Sequence, residues 1–143
     1  MRATVLQEER TFVLVFERGD AFPAELERFA AAHRLPGAHF TAIGAFSGAV
    51  LGSFDRERRR YREIPVDEQA EVLSLAGTVA DGEDGVVVHA HAVLGLGDGS
   101  TRGGHVLRAR VWPTLEVVLT ESPRHLRRRR DPETGLALID VPS

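Results

Sequence analysis

The sequence contains neither cysteine nor lysine, and all 18 of its basic residues are arginine. Without cysteine there is no disulfide, thiolate nucleophile or cysteine-ligated zinc, and the chain is compatible with a reducing compartment. Without lysine, Schiff-base chemistry and a lysine phosphate clamp are excluded. Any metal ion that this chain holds must therefore take imidazole or oxygen ligands.

Long apolar runs are also missing. No stretch approaches the roughly 20 apolar residues of a membrane-spanning helix, and residues 1–9 lack the apolar segment of a secretion signal. We therefore expect a cytoplasmic protein with no membrane partner. A chain of 143 residues, 43% of them hydrophobic, fits one globular domain, and we predict a single domain over residues 1–143.

Positive charge is confined to short segments. The formal net charge is -3, which does not provide the broad positive field of a domain that binds nucleic acid through phosphates. Residues 56–62 and 124–130 are nevertheless rich in arginine. Either segment could contact phosphate or an acidic protein surface, but solvated strand edges that discourage aggregation are the favoured interpretation.

One amphipathic helix is predicted near the start of the chain. Residues 11–18 read as a strand, after which Asp20 can cap a helix with Pro23 in its first turn. The helix must end at Leu35-Pro36-Gly37, because proline removes a backbone donor and disfavours helical geometry at the preceding residue. The remainder of the chain has the texture of short strands.

The predicted fold is therefore α/β of the α+β type, a mostly antiparallel sheet with one main flanking helix. A single helix covers only one sheet face, so the remaining apolar surface suggests oligomerisation. A turn and a short apolar strand are expected in the tail, over 130–140. The other predicted strands span residues 38–46, 48–55, 59–66, 71–80, 86–94, 105–112 and 114–120.

The candidate chemistry lies in His89-Ala90-His91 and in Gly103-Gly104-His105. Alternate side chains of a strand share a face, so His89 and His91 project together and can converge on one divalent ion. His105 is the natural third ligand. However, a tight hairpin centred on Asp98-Gly99 would pair His105 with Ala92 and turn it to the opposite face. A bulge or a wider turn is required, and we predict a bulge at Gly103-Gly104.

Three neutral imidazoles would leave the ion an open position, and zinc is the first expectation because imidazole-rich sites accept it readily. Glu116, expected on the following strand, could orient a ligand or act as an acid or base. The alternative is that His89 and His91 are merely hydrogen-bonded in a polar strand face or a subunit interface. His33, His39 and His125 have no partner at ligand spacing and are predicted to be structural or surface residues.

Several short motifs, in this order, resemble the plants-and-prokaryotes-conserved (PPC) domain family. They cover nearly the whole chain, and they are residues 42–46, 73–78, 89–91, 98–99, 103–105, 115–117 and 131–136. The resemblance implies a homotrimer of compact α/β subunits with sites near subunit boundaries. The family is similar in fold to acetolactate decarboxylase and to an ester hydrolase, both of which hold zinc with three histidines. This carries the ligand role to His89, His91 and His105, and less directly an active role to Glu116.

Two functional hypotheses follow. The first is a cytoplasmic homotrimeric PPC protein with a three-histidine metal site and a binding or regulatory role. Association with DNA is implied by plant relatives, in which the domain follows AT-hook motifs, but this chain has no Arg-Gly-Arg-Pro hook. The second is a zinc-dependent hydrolase or lyase acting on a small oxygenated substrate. An enclosed cavity at the metal, with Glu116 or Arg108 reaching in, would favour the enzyme.

Overall fold

The computed structural model describes residues 10–122 and 127–140, which are mostly strand with one short helix. The helix, α1, spans Ala24–Ala32. The strands are β1 (Thr11–Phe16), β2 (Ala21–Phe22), β3 (Gly37–Asp55), β4 (Arg60–Val66), β5 (Ala70–Gly82), β6 (Gly85–Gly95), β7 (Thr101–Glu121), β8 (Arg127–Arg130) and β9 (Ala137–Asp140).

All these strands belong to one sheet. Its pairings are antiparallel except for a parallel bridge between Asp81 in β5 and Arg127 in β8, so the sheet is mixed. β3 pairs with both β5 and β7, and β6 pairs with both as well. The strands β3, β7, β6 and β5 therefore form a closed ring of hydrogen-bonded neighbours, with β1, β2 and β4 added at its margins.

Two observed strands, β3 and β7, are each continuous where the sequence predicts a pair of shorter strands. β3 runs through the expected break at Ser47, and β7 runs through the expected break at Pro113. Both strands change register where they meet, and Gly44 has a positive φ of 149° at this crossing. A side chain at Gly44 would collide with the backbone of Thr114. Glycine thus lets the two long strands bend past each other without interruption.

The helix forms where predicted, but its start differs from the prediction. Pro23 occupies the N-cap position, and no side chain of the described residues caps the helix there. The Asp20 carboxylate instead accepts a hydrogen bond from the backbone N–H of Glu17 at 2.8 Å, closing the turn after β1. Leu26 and Ala30 are fully buried against the sheet, which is the amphipathic pattern that the sequence predicts.

The core lies between α1 and the inner side of the sheet. Each fully buried phenylalanine or leucine side chain contributes about 1.5–3 kcal/mol of transfer free energy. Among residues 10–122 and 127–140, many side chains on the outer face of the sheet are exposed. The largest completely buried side chains are Phe22, Phe40, Phe46, Leu26, Leu35, Leu51, Leu75, Leu94, Leu115 and Leu119.

An apolar patch stands on this outer face. We define it by Val13 and Val15 of β1, Ile43 of β3 and Val118 of β7, which are 72%, 62%, 62% and 48% exposed. Opposed residues share a face, and Val118 lies opposite Val13 on one side and opposite Thr41 on the other. The uncovered apolar sheet surface expected from the sequence is therefore present.

No helix in the described part of the chain is long and apolar enough to cross a membrane.

Candidate metal centre

Two neighbouring strands carry the three histidines. In β6 the side chains of Val88, Ala90 and Ala92 are buried, so the alternate residues His89 and His91 point outward. His105 in β7 lies directly opposite His91 in the antiparallel pairing, which places both rings on the same face. The three rings thus meet on the outer face of the sheet.

A wide turn, and not a bulge, sets this register. The pairing from His91 opposite His105 to Gly95 opposite Thr101 is regular, so the bulge predicted at Gly103-Gly104 is wrong. The chain reverses over residues 96–100, where Leu96 and Ser100 share a backbone hydrogen bond of 2.9 Å. The turn is wider than a two-residue hairpin, and this moves His105 onto the face of His91.

Gly104 permits a close approach between strands, whereas the prediction assigned it to a bulge. A Cβ atom there would lie 2.8 Å from the backbone carbonyl oxygen of Gly52 in β3. That separation is shorter than side-chain carbons tolerate, so Gly104 allows β3 to approach β7 beside His105.

The three imidazoles are close enough to share one ion. One ring nitrogen of each lies within 4.8 Å of the others, and the Nε2 atoms of His89 and His91 are 3.1 Å apart. The ring centroids of His105 are 4.9 Å from His89 and 5.5 Å from His91. Imidazole nitrogens at this spacing form a donor set that suits zinc and related divalent ions.

The electrostatics of the site favour neutral rings at His89 and His105. Burial is the main cause that lowers the pKa of His105 to about 4, and the neighbouring His89 and His91 lower it further. Burial also lowers the pKa of His89, with smaller contributions from Arg128 and His91. Neutral imidazole is the form that binds metal. In addition, His105 Nδ1 is buried without a hydrogen-bond partner in the described chain, as a nitrogen reserved for another ligand would be. These residues therefore fit a divalent metal.

Three further described residues lie around the cluster, and no local pattern in the sequence marks them as site residues. Tyr61 of β4 stacks on His105, with ring centroids 4.5 Å apart and planes 18° from parallel. Thr78 of β5 lies opposite His89. Arg128 of β8 donates a hydrogen bond to the Thr78 hydroxyl oxygen at 2.8 Å. Tyr61 and Arg128 stand in arginine-rich segments, where nothing local distinguishes them from solvated residues.

Glu116 and Arg108 are not part of the group of three histidines. Glu116 is on β7 itself, not on a following strand, and it is exposed between Val15 and Ile43, outside the group of three histidines. Arg108 forms a bidentate ion pair with Glu63 and lines an open groove of about 760 Å³ whose lining contains none of the three histidines. The proposed active role of Glu116 thus gains no support from its position in a single subunit.

Two of the remaining histidines, His33 and His39, are not part of the cluster. His33 stacks on Phe29 at 3.9 Å between centroids at the end of α1. His39 is exposed in β3, opposite Thr78 on one side and Thr120 on the other. Both are surface or structural residues, as predicted. His125 lies outside the described residues.

Comparison with known proteins identifies the lineage. Residues 3–123 match the model of the Plants and Prokaryotes Conserved (PCC) domain, which is the PPC family. The chain belongs to this family. No curated protein matches it.

Solved PPC structures share the whole fold. A Pyrococcus horikoshii PPC protein is 26% identical, with a TM-score of 0.92 and coverage of 100% of this chain and 99% of that one. A protein from Archaeoglobus fulgidus described as metal-containing is 31% identical, with a TM-score of 0.90 and coverage of 99% and 100%. A candidate DNA-binding protein from Ralstonia eutropha is 29% identical, with a TM-score of 0.85 and coverage of 91% and 90%.

A more distant likeness confirms the fold relation expected from the sequence. A Staphylococcus aureus protein of unknown function, described as similar to alpha-acetolactate decarboxylase, has a TM-score of 0.55 at 15% identity. The match covers 79% of this PPC chain and 52% of the other. At this identity the likeness shows a common fold alone.

Proposed function

We propose that this PPC protein binds one divalent metal ion through His89, His91 and His105 and serves a binding or regulatory role. The observation that carries the proposal is the convergence of three ring nitrogens within 4.8 Å. The Archaeoglobus fulgidus relative, described as metal-containing, gives independent support. Zinc is the proposed metal because the donors are imidazoles and the chain has no thiolate to offer.

The metal would supply a Lewis-acidic centre with room for an additional ligand. The exposed ring of His91 leaves the cluster accessible from solvent, whereas His89 and His105 are partly buried. Tyr61 fixes the orientation of His105 by stacking, and Thr78 and Arg128 border His89. These neighbours suit a site that orients a small ligand.

The protein is proposed to assemble as a homotrimer of single-domain chains. The apolar patch supports self-association, because four apolar side chains lie adjacent on a sheet face and are exposed among the described residues of one subunit. Glu116 stands within this patch, and a role for it therefore requires the assembled state. A cytoplasmic location remains a prediction from the sequence.

Elemental analysis of untagged protein tests the metal site. We expect about one zinc-class ion per chain in the wild type, and a large loss in the His89→Ala, His91→Ala double variant, because two of three ligands are removed. His39→Ala is the matched control, since His39 is an exposed histidine of β3 outside the cluster. Equal metal content in the double variant and the wild type would eliminate these ligands.

DNA association is the weaker part of the proposal. It is supported by relatives described as candidate DNA-binding proteins and by the exposed arginines of β8, and it is opposed by the net charge of -3. A gel-shift series across salt concentrations tests it, because binding through phosphates weakens steeply as salt rises. The absence of a shift at low salt would remove DNA from the list of partners.

A further inference from the structure

Arg128 is a buried cation beside the histidine cluster. It is only 8% exposed, although arginine is rarely buried without a charge partner. Its Nη1 atom donates to the backbone carbonyl of Ala137 at 2.7 Å, and its Nη2 atom donates to Thr78. Its Nε atom is buried and has no hydrogen-bond partner within residues 10–122 and 127–140.

Cross-strand register places this guanidinium next to the proposed ligands. Thr78 accepts its hydrogen bond and stands directly opposite His89, and opposed side chains of a sheet have Cβ atoms about 4.5–5.5 Å apart. The charge of Arg128 also contributes to the lowered pKa values of His89 and His105, which is consistent with this proximity. The guanidinium and the three rings therefore border one space on the outer sheet face.

Positive charge in this space has no counter-charge from the described chain. No carboxylate within residues 10–122 and 127–140 forms an ion pair with Arg128. The three ligands are imidazoles, which add no negative charge when they bind a divalent ion. A guanidinium and a divalent cation would thus stand side by side in a partly buried site. Such an arrangement is costly unless an anion joins them.

We propose that the site binds a small oxyanion, a carboxylate or a phosphate group, between the metal ion and the Arg128 guanidinium. The proposal rests on the metal site proposed above and specifies the class of its ligand. A guanidinium presents five N–H donors in a planar fork, and here Ala137 and Thr78 accept from one N–H of each Nη group. Nε–H has no partner among the described residues, so it and the second N–H of each Nη group are the donors left for an oxyanion. The exposed side of His91 provides access from solvent.

Cobalt(II) reports on the metal and the anion separately. Cobalt-loaded protein is titrated with glycolate in one series and with inorganic phosphate in another, and the visible absorption bands of cobalt give the anion affinity. We expect one of the two to bind in the millimolar range or more tightly. In Arg128→Gln, that affinity falls at least about tenfold, since a charge-assisted bidentate contact is lost.

The affinity for cobalt itself should not fall in this variant. Without anion, Arg128→Gln binds cobalt as tightly as the wild type or more tightly, because a neighbouring positive charge is removed. A merely structural role for Arg128 would weaken both affinities. Arg129→Gln is the matched control, as Arg129 lies on the same strand, is 78% exposed and pairs with Asp140 at 3.6 Å. This control should leave both affinities within about twofold.

Each outcome decides a separate point. Failure of the wild type to bind cobalt would overturn the metal site and the oxyanion site together. Cobalt binding with no response to either anion, or with equal anion affinity in Arg128→Gln, would overturn only the oxyanion site. If Arg128→Gln does not fold, Arg128→Lys retains the charge but loses the planar fork, and it should still weaken anion binding measurably. An unchanged affinity in that variant would also overturn the proposal.

Discussion

Two regions of the same outer sheet face carry very different surfaces. One unbroken row of opposed residues runs from His91 through Ala76, Thr41 and Val118 to Val13, crossing β6, β5, β3, β7 and β1. Its β6 end belongs to the histidine cluster, and its β1 end belongs to the apolar patch. With neighbouring strands about 4.8 Å apart, His91 and Val118 are roughly 14 Å apart along this row.

The difference between these ends concerns what each can bind. The cluster offers nitrogen lone pairs and a buried cation, which suit a metal ion and an anion. The patch offers four exposed aliphatic side chains around Glu116, which another apolar surface can cover favourably. The same sheet face is therefore divided between proposed ligand binding and proposed self-association, and we expect that each half can be altered without affecting the other.

The largest effect is expected from a charge in the apolar patch. Val118→Asp replaces an apolar side chain of the patch with a second carboxylate besides Glu116, and we expect loss of the trimer, measured by light scattering coupled to size-exclusion chromatography. Thr120→Asp, two residues along β7 on the same outward side, is the control for added charge. Because all three histidines belong to one chain, the dissociated subunit should still bind metal. A wild-type protein that is monomeric at micromolar concentration would refute the assembly.

A second variant alters the histidine cluster at the β6 end of the row and leaves the apolar patch unchanged. His91→Ala should lower metal affinity at least about tenfold, because one of three ligands is lost, while the oligomeric state stays that of the wild type. Metal titration followed by light scattering on the same samples measures both. A variant that loses metal and also dissociates would show that the two regions are coupled, and would contradict the expectation that each can be altered independently.

Metal removal should destabilise the wild type more modestly. A ligand that binds only the folded state stabilises it by about 2.7 kcal/mol at a free concentration 100 times its dissociation constant. We therefore expect a lower thermal midpoint after chelation and recovery on adding zinc, measured by calorimetry. The Val118→Asp subunit should show the same recovery. A midpoint indifferent to metal in both proteins would contradict the proposed site.

Gly104→Ala tests the packing that supports the cluster. The added methyl would lie 2.8 Å from the Gly52 carbonyl oxygen, so β3 and β7 must separate. Overpacking of this kind costs about 1–3 kcal/mol, which denaturant unfolding can measure. Gly99→Ala is a control for space alone, since nothing lies within 4 Å of a Cβ there, although its φ of +83° adds strain of its own. Equal stability of Gly104→Ala and the wild type would argue against a close approach.

The smallest expected effect is a dependence of metal-free stability on pH. The folded state holds the pKa of His105 down to about 4, whereas the unfolded chain protonates histidine near pH 6.5. The unfolded state therefore binds more protons between these values, and the free energy of unfolding falls as pH drops from 6.5 toward 4. Solvent screening makes the change small, because His105 is only half-buried. His105→Asn should flatten the slope, and an unchanged slope would contradict the lowered pKa.

Much of the fold could be predicted from local pattern. The strand at 11–16, the helix and the alternation around His89 and His91 all confirm expectations, because burial on one face imposes a period on the residues themselves. The continuity of β3 and β7 could not be predicted. Ser47 and Pro113 are ordinary break signals, yet both lie inside long strands that pair with each other between distant parts of the chain.

The residues around the histidine cluster could not be predicted from local sequence pattern, because contacts between distant segments bring them there. Arg128 stands in a run of four arginines in β8, and only one of them is buried. Its burial follows from the bridge between β5 and β8, a contact between segments far apart in the chain. Tyr61 likewise reaches His105 only because β4 and β7 both pair with β3.

The sequence by itself determined the donor types, the family and the outward projection of His89 and His91, since each depends on residue identity or on a two-residue period. Tertiary structure alone decided that His105 joins them, that Glu116 stands apart from them, and that Arg128 lies beside them. The physical reason is register. A shift of one residue in pairing reverses the face of every side chain, and register depends on the width of a turn and on contacts between distant strands.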